Sequence, residues 1–343
     1  MTTAILTDAR YAAHTYPGHV ERAERLQAIE QALDASELRS DLLAIAPRAA
    51  QNDELTAVHD ARYLQKVERF GAEGGGSLDP DTYMTGASWE AALYAAGAAV
   101  HAVDAIMHGE CNNAFSLARP PGHHATATQA MGFCLINNIA VAARHALDAF
   151  GLERVAIVDY DVHHGNGTHD IFYQEPRVFF CSTHAWPYYP GTGAINETGG
   201  GAGAGTTLNV PLSPGVGDKG YAQVFERVVI PALRRYQPQM IFVSAGYDAH
   251  WSDPIGPMVL SVNGYALLTQ MLYDAAAELC DGRLLMVLEG GYNLDALGAS
   301  VVAALRVLLG RDPGEDPLGP ITAPGPDVTG VIATLEKRHP LFQ

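Results

Sequence analysis

Short, uninterrupted apolar segments that alternate with longer Ala-rich segments constrain the fold of this chain more than any other feature. Five apolar segments have strand length, at residues 111–117, 155–159, 178–181, 240–244 and 284–288. Five amphipathic segments have helix length, at residues 89–107, 139–150, 221–236, 263–279 and 294–309. Strands that are apolar on both faces and alternate with helices are typical of a parallel sheet covered by helices on both sides. The sequence therefore predicts one α/β domain.

Composition and charge exclude several classes of protein. The 343 residues carry 38 acidic and 21 basic side chains, and the net charge of −17 argues against a nucleic-acid-binding protein, which needs a basic surface. No apolar stretch has the length of a membrane span, and the N-terminus lacks a signal-peptide pattern. The four cysteines stand apart from one another, which argues against disulfides and favours a cytoplasmic protein. We therefore expect neither a nucleic-acid nor a membrane partner, and the sequence leaves a homo-oligomer open.

Polar side chains follow the predicted strands where the strands end, which is where open α/β sheets bind ligands. Asp161 and His163 follow the strand at 155–159, and a spacing of two in an extended chain points both side chains the same way. Asp248 follows the strand at 240–244. Carboxylate oxygen and imidazole nitrogen suit Zn²⁺, and three protein ligands leave the open position that a catalytic metal needs. The pattern predicts one catalytic Zn²⁺ held by these three residues.

The tandem histidines His123 and His124 follow a Pro-Pro-Gly turn after another predicted strand. Histidine transfers protons near neutral pH, so the pair is a candidate for the general base and general acid of a hydrolytic reaction. Each ring needs an acceptor for its other nitrogen, and Asp159 and Asn166 could each supply one. Tyr292, between Gly-Gly and Asn, is a candidate donor to a developing oxyanion.

Six motifs together resemble the histone deacetylase family: RPPGHHA, GFCLINN, DYDVHHGNGT, YYPGTG, SAGYDAHWSDP and LEGGYN. The resemblance extends over a catalytic core at about residues 10–310. It implies the arginase-like three-layer α/β/α fold with a central, mainly parallel sheet, as a single domain over residues 1–343 with a Pro/Gly-rich tail at 310–343. The chain is most similar to the class II and bacterial deacetylase-like amidohydrolases, because Asn166 stands where class I members have Asp.

The resemblance also implies an activity: Zn²⁺-dependent removal of acetyl or other small acyl groups from the ε-amine of lysine or from similar amines. It implies that His124, paired with Asn166, is the general base, and that His123, paired with Asp159, is the second histidine. Tyr292 would polarise the scissile carbonyl. The expected partner is therefore an acetylated lysine peptide or a small acylated amine.

Further residues receive roles from the same resemblance. Those that would line the substrate channel are Gly132, whose backbone carbonyl would accept the substrate amide N–H, the aromatic pair Phe133 and Tyr189, the rim residue Asp81 and the gate residue Ile255. Structural K⁺ or Na⁺ sites would involve Asp159, Asp161 and His163 with Ser182 and Thr183, and a second site would lie near Phe172 and Val178.

Three alternatives stay open at this stage. The first is an acetylpolyamine amidohydrolase, against which the short segment from His59 to Trp89 and the apolar residue Ile255 both argue. The second is a Mn²⁺ ureohydrolase on the same fold, which would need more carboxylates near the strand ends. The third is an acyl-amine-binding protein without activity, although every matched catalytic position is filled.

Overall fold

A parallel β-sheet forms the centre of the protein, as the apolar segments predict. The computed structural model describes residues 2–321 and 325–343. The strands are β1 (Thr3–Leu6), β2 (Leu42–Ala44), β3 (Gly75–Ser77), β4 (Tyr83–Thr85), β5 (Asn113–Ser116), β6 (Val155–Asp159), β7 (Val178–Ala185), β8 (Thr207–Leu212), β9 (Ile241–Ala245) and β10 (Leu284–Leu288). In the described ranges, eight of these form one sheet in the order β2-β1-β5-β10-β9-β6-β7-β8, and all of its pairs are parallel. Strands β3 and β4 form a separate antiparallel pair.

Helices cover both faces of this sheet. They are α1 (Glu24–Ala35), α2 (Asn52–Thr56), α3 (Ala61–Ala72), α4 (Ser88–Met107), α5 (Asn138–Ala149), α6 (Asn166–Phe172), α7 (Asp218–Val224), α8 (Ile230–Tyr236), α9 (Val262–Leu279), α10 (Leu294–Leu308) and α11 (Thr329–Arg338). Successive side chains of β10 alternate between two apolar cores: Leu284 and Met286 pack in the core with α1, α9 and α10, and Leu285 in the core with α4 and α5. This alternation explains why β10 is apolar at every position. The predicted three-layer α/β/α fold is confirmed.

The sequence pattern missed parts of the sheet. Strand β1 has four residues and β2 three, which is too short for a pattern, and Asn209 and Pro211 interrupt the apolar run of β8. Strand β1 pairs with β5 inside the sheet. The segment predicted as one helix at 221–236 begins earlier, at Asp218, and contains a π-helical stretch at Phe225–Val229.

Helix α11 of the tail packs against the helices of the sheet, because Ile332 and Leu335 are buried in the core that contains α9 and α10. Beyond this helix, His339 donates through Nε2 to the carbonyl of Thr207 in β8, at 2.7 Å. Residues 322–324 of the tail lie outside the described residues. In the ranges that the structure describes, no helix is long and apolar enough to cross a membrane.

Candidate active site

The carboxyl ends of neighbouring strands bring the predicted metal ligands together. Strand β6 ends at Asp159 and leads into Asp161 and His163, and its neighbour β9 leads into Asp248. All three candidate ligands are buried. Their ligand atoms lie within 4.8 Å of one another, the one such group of three found in residues 2–321 and 325–343. This convergence follows from topology, because parallel strands end at the same edge of a sheet.

The geometry of these three side chains fits a small divalent cation. His163 Nδ1 lies 3.1 Å from Asp161 Oδ1 and 3.3 Å from Asp248 Oδ2. Within the described residues, Asp248 Oδ2 is buried without a hydrogen-bond partner, which is costly for a carboxylate oxygen unless a cation satisfies it. Burial opposes protonation of His163, but the two carboxylates outweigh it and raise its pKa to about 9, which reflects a strongly negative site. One nitrogen and two oxygen ligands are a donor set that suits Zn²⁺.

Backbone N–H groups fix the two carboxylates. Gly290, which follows β10, donates to Asp161 Oδ2 at 2.9 Å, and Val162 donates to Asp248 Oδ1 at 2.9 Å. A Cβ atom at Gly290 would lie 2.1 Å from Asp248 Oδ2 and 2.7 Å from Asp161 Oδ2. This close approach accounts for glycine at that position of the sequence.

The tandem histidines have different partners. His123 Nδ1 donates to Asp159 Oδ2 at 2.9 Å, whereas His124 Nδ1 donates to the amide oxygen Oδ1 of Asn166 at 2.7 Å. Asn166 begins α6, so the start of one helix and the end of β6 orient the two rings. The pairs are those proposed from the sequence, and a carboxylate stabilises an imidazolium better than a neutral amide does.

The electrostatic surroundings separate the two histidines further. Burial opposes protonation of His123, but the carboxylates of Asp159 and Asp161 outweigh it and raise its pKa well above the usual range. Burial, reinforced by positive charge at His123 and His163, holds the pKa of His124 well below the usual range. These surroundings favour the charged form of His123 and the neutral form of His124, whose ring centroids lie 4.0 Å apart.

A cavity of about 240 Å³ opens onto this site. The five predicted substrate-channel residues and the oxyanion candidate all line it, namely Asp81, Gly132, Phe133, Tyr189, Ile255 and Tyr292. Phe133 stands edge-to-face against Tyr292, with ring centroids 5.8 Å apart, and Tyr189 stands edge-to-face against His124 at 5.2 Å. Gly132 has φ +55°, and a Cβ atom there would lie 2.3 Å from the ring of His124, so the loop approaches this ring closely only because the residue is glycine.

The residues expected at monovalent cation sites lie behind the metal-ligand group. Ser182 is opposite Asp159 in the pairing of β7 with β6, and the hydroxyl of Thr183 donates to the carbonyl of Asp159 at 3.4 Å. Phe172 ends α6 and Val178 begins β7, and both are buried. Their role in binding K⁺ or Na⁺ stays a prediction.

The sequence analysis assigned no role to two carboxylates that hold backbone segments of the site in place. Glu289 accepts hydrogen bonds from the backbone N–H groups of Gly122 and His123, at 2.7 and 3.1 Å, and so holds the tandem-histidine turn. Asp253 accepts hydrogen bonds from the backbone N–H groups of Tyr292, the candidate oxyanion donor, and of Asn293. The signal for both was present in the motifs LEGGYN and SAGYDAHWSDP, but an acidic residue in a motif does not reveal which backbone it contacts.

Comparison with known proteins places the chain in a family. The model of the histone deacetylase domain matches residues 19–308. The chain is 42% identical to histone deacetylase 14, chloroplastic, of Arabidopsis thaliana, over 87% of this chain and 75% of that protein. It is 42% identical to the histone deacetylase-like amidohydrolase of Pseudomonas aeruginosa, over 88% of this chain and 80% of that protein. It is 40% identical to a probable deacetylase of Archaeoglobus fulgidus, over 91% of this chain and 88% of that protein.

A solved structure extends the agreement to three dimensions. The crystal structure of the HDA15 HD domain superposes with a TM-score of 0.89 at 39% identity, covering 98% of this chain and 93% of that one. The family expected from the six motifs is thereby confirmed, together with its fold. The chain belongs to the histone deacetylase family and is a hydrolase of the deacetylase class.

Proposed function

We propose that this protein is a Zn²⁺-dependent amidohydrolase that removes acetyl or other small acyl groups from lysine side chains of peptides. The observation that carries the proposal is the pair of tandem histidines with unlike partners, placed beside the buried Asp-His-Asp group at the end of an aromatic-lined cavity. Asp161, His163 and Asp248 would hold the ion. When bound, Zn²⁺ supplies Lewis-acid polarisation of the acyl oxygen and increases the acidity of water in the site.

His124 is the general base in this proposal. Its Nδ1–H donates to Asn166, so the lone pair is on Nε2, for which the described part of the chain provides no hydrogen-bond partner. A neutral imidazole next to the cavity can take a proton from the attacking water. His123, which Asp159 holds through Nδ1, stabilises negative charge nearby through its other ring nitrogen. A protonated histidine then delivers a proton to the leaving amine.

Tyr292 donates a hydrogen bond to the oxyanion that forms on the acyl carbon. The guanidinium carbon of Arg25 lies 4.9 Å above the centre of its ring, and Phe133 closes the ring from the side. Both contacts restrict the phenol to one orientation in the wall of the cavity. A donor held in advance costs no reorganisation when the charge develops.

The walls of the cavity indicate the class of substrate. Phe133 and Tyr189 offer aromatic surface to an uncharged methylene chain, and Gly132 offers a backbone carbonyl to the substrate amide N–H. Asp81 stands at the entrance, and the net charge of −17 attracts cationic peptides over a distance that salt reduces. Ile255 leaves the entrance without an acidic group at the gate position.

The test compares kcat/KM of the Zn²⁺-loaded protein for an acetyl-lysine peptide and for N-acetylputrescine, at two ionic strengths. We expect the peptide to be hydrolysed at least as efficiently, and kcat/KM to fall as salt rises. A strong preference for acetylated polyamines would replace lysine by polyamine as the substrate and leave the chemistry unchanged. Elemental analysis of the active protein adds a check, since one Zn²⁺ per chain supports the proposal and two Mn²⁺ per chain would contradict it.

A further inference from the structure

The loop that carries Tyr292 is fastened by a side chain from a different loop. Asp253 Oδ2 accepts hydrogen bonds from the backbone N–H groups of Tyr292 and Asn293, at 2.7 and 3.1 Å. Its other oxygen, Oδ1, accepts a hydrogen bond from the N–H group of Ile255 at 3.0 Å. Asp253 is 8% exposed, so water competes little for these bonds. One carboxylate therefore joins the backbone of the oxyanion donor to that of the gate residue.

Two further contacts complete this connection. Asn293 Nδ2 donates to the carbonyl of Ser252 at 3.2 Å, and the hydroxyl of Tyr188 donates to the carbonyl of Ile255 at 2.5 Å. Tyr188 in turn stacks on the candidate ligand His163, with ring centroids 5.5 Å apart and planes at 22°. The segment 252–255 is thus held on one side by the Tyr292 loop and on the other by an aromatic residue of the cavity wall.

We propose that Asp253 is a positioning residue, which sets the place of the Tyr292 phenol and couples it to the entrance segment 252–255. The inference rests on the proposed function, because it assigns Tyr292 a part in amide hydrolysis. Asp253 acts through the backbone of Tyr292 and touches no reacting atom. A shift of the Tyr292 backbone moves the phenol out of reach of the oxyanion, whereas the cavity walls that bind the substrate stay in place.

The substitution Asp253→Asn removes this function with little change in shape. Both carboxylate oxygens accept from backbone N–H groups, so whichever way the amide is turned, its NH₂ group faces a donor. We expect kcat for an acetyl-lysine peptide to fall at least about tenfold, with KM changed less than about threefold and bound Zn²⁺ unchanged. A trifluoroacetyl substrate, which needs less help at the oxyanion, should lose less.

A double-mutant cycle separates positioning from general damage. If Asp253 acts through the phenol, the loss of kcat caused by Asp253→Asn should shrink to less than about threefold in a Tyr292→Phe background. The proposal would be overturned if Asp253→Asn lowered kcat by the same factor in both backgrounds. It would also be overturned if Asp253→Asn alone kept kcat within about twofold of the wild type.

Asp316 provides a matched control away from the cavity. Its carboxylate likewise accepts three backbone N–H groups, from Val262, Leu318 and Gly319, at 2.9 to 3.0 Å. Asp316→Asn should lower the free energy of unfolding to a similar degree and leave kcat within about twofold. An equal loss of kcat in both variants would show that stability, not position, is responsible.

Amide hydrogen exchange tests the hydrogen bonds between Asp253 and the Tyr292 loop without an activity assay. In Asp253→Asn the amides of Tyr292 and Asn293 should exchange at least about tenfold faster, while those of Gly122 and His123, held by Glu289, should not change. Unchanged exchange at Tyr292 overturns the positioning role even if the enzyme deacetylates as proposed. If the wild type hydrolyses no acyl amide, the proposed function fails, and the exchange experiment still decides whether Asp253 fastens this loop.

A milder variant serves if Asp253→Asn does not fold. Asn293→Asp keeps the oxygen that caps α10 at the N–H group of Ala296 but removes the donor to Ser252. We expect a smaller loss of kcat, about threefold, and faster exchange at Tyr292. Wild-type values for both would overturn the coupling of the two loops.

Discussion

His59 and His124 are equally buried, at 2% and 3% exposure, yet their surroundings differ in one respect. Both ring nitrogens of His59 are used, because Nδ1 donates to the carbonyl of Thr126 and Nε2 accepts from the N–H group of Asn137, each at 3.0 Å. Among the described residues His124 has a hydrogen-bond partner for Nδ1 alone, and its ring lines the cavity. The comparison teaches that burial does not mark a functional histidine. A better indication is a ring nitrogen without a hydrogen-bond partner in a histidine that lines a cavity.

The largest effect should come from removing Asp161, a candidate metal ligand in the same site as His124. Asp161→Ala removes one of the three candidate metal ligands and the carboxylate that accepts the N–H group of Gly290. We expect loss of bound Zn²⁺ together with a fall in activity of at least about 10⁴-fold. Elemental analysis and turnover on the same sample check both. Retention of metal and activity would remove Asp161 from the site, and with it the contrast between the two regions.

The same substitution at the two histidines tests the comparison directly. His124→Gln should lower kcat by about 10²- to 10⁴-fold, because the general base is lost. His59→Gln should leave kcat within about threefold and lower the free energy of unfolding instead, because a buried N–H group and a carbonyl lose their partner. Turnover assays and urea unfolding provide kcat and the free energy of unfolding for each variant. The comparison fails if kcat falls equally in both.

Tyr292→Phe sharpens the assignment within the cavity. The ring stays and the O–H donor is lost, so kcat for an acetyl substrate should fall about 100- to 1000-fold with bound metal unchanged. Trifluoroacetyl amides, being more electrophilic, should lose less. A fall of less than about threefold on the acetyl substrate would leave Tyr292 without a role in the chemistry.

The pH dependence of the unfolding free energy tests the structural role of His59. Burial lowers the pKa of His59 to about 4, so the folded protein keeps it neutral at pH 5 while the unfolded chain takes up a proton. The stabilisation is therefore present above the unfolded pKa of about 6.5 and is lost as pH falls towards 4. Between pH 7 and pH 5, the difference in unfolding free energy between wild type and His59→Gln should narrow by about 2 kcal/mol. A constant difference would mean that His59 titrates alike in both states.

The smallest effect concerns the rim, where the active region meets solvent. Ile255→Glu adds an acidic group to the cavity entrance and should shift the ratio of kcat/KM values from acetyl-lysine peptide towards N-acetylputrescine by about threefold to tenfold, while kcat for the peptide changes little. Ile255→Gln, of similar shape without the charge, is the matched control. A shift of equal size in both variants would trace the effect to shape and not to charge.

The sequence was sufficient for those parts of the site that depend on strand ends. Asp161, His163 and Asp248 follow buried strands, and topology brings such positions to one edge without further information. The pairing of His124 with Asn166 came from resemblance to a family, since nothing local in the sequence relates residues 42 positions apart.

Other features depend on contacts between distant segments and leave no local pattern. Glu21, Arg25 and Arg119 look like ordinary surface charges in the sequence, yet all are fully buried, and Arg25 donates to the carbonyls of Glu289 and Gly291 beside Tyr292. Such a group can be buried only because its partners arrive from elsewhere in the chain. Strand β1 was missed for the same reason, because a segment of four residues is recognisable as a strand only from β2 and β5, which pair with it in the sheet.

The backbone hydrogen bonds to Asp161 and Asp248 have a consequence for the order in which this enzyme matures. Gly290 and Val162 orient these carboxylates with groups that the protein itself supplies. Folding therefore does not have to wait for the ion, in contrast to small domains that a structural zinc must assemble. Two acidic groups held close together still repel each other, so an ion that arrives late relieves that repulsion and stabilises a chain that is already folded. Metal loading would then be the final step of maturation, and we expect removal of the ion by a chelator to be reversible without refolding.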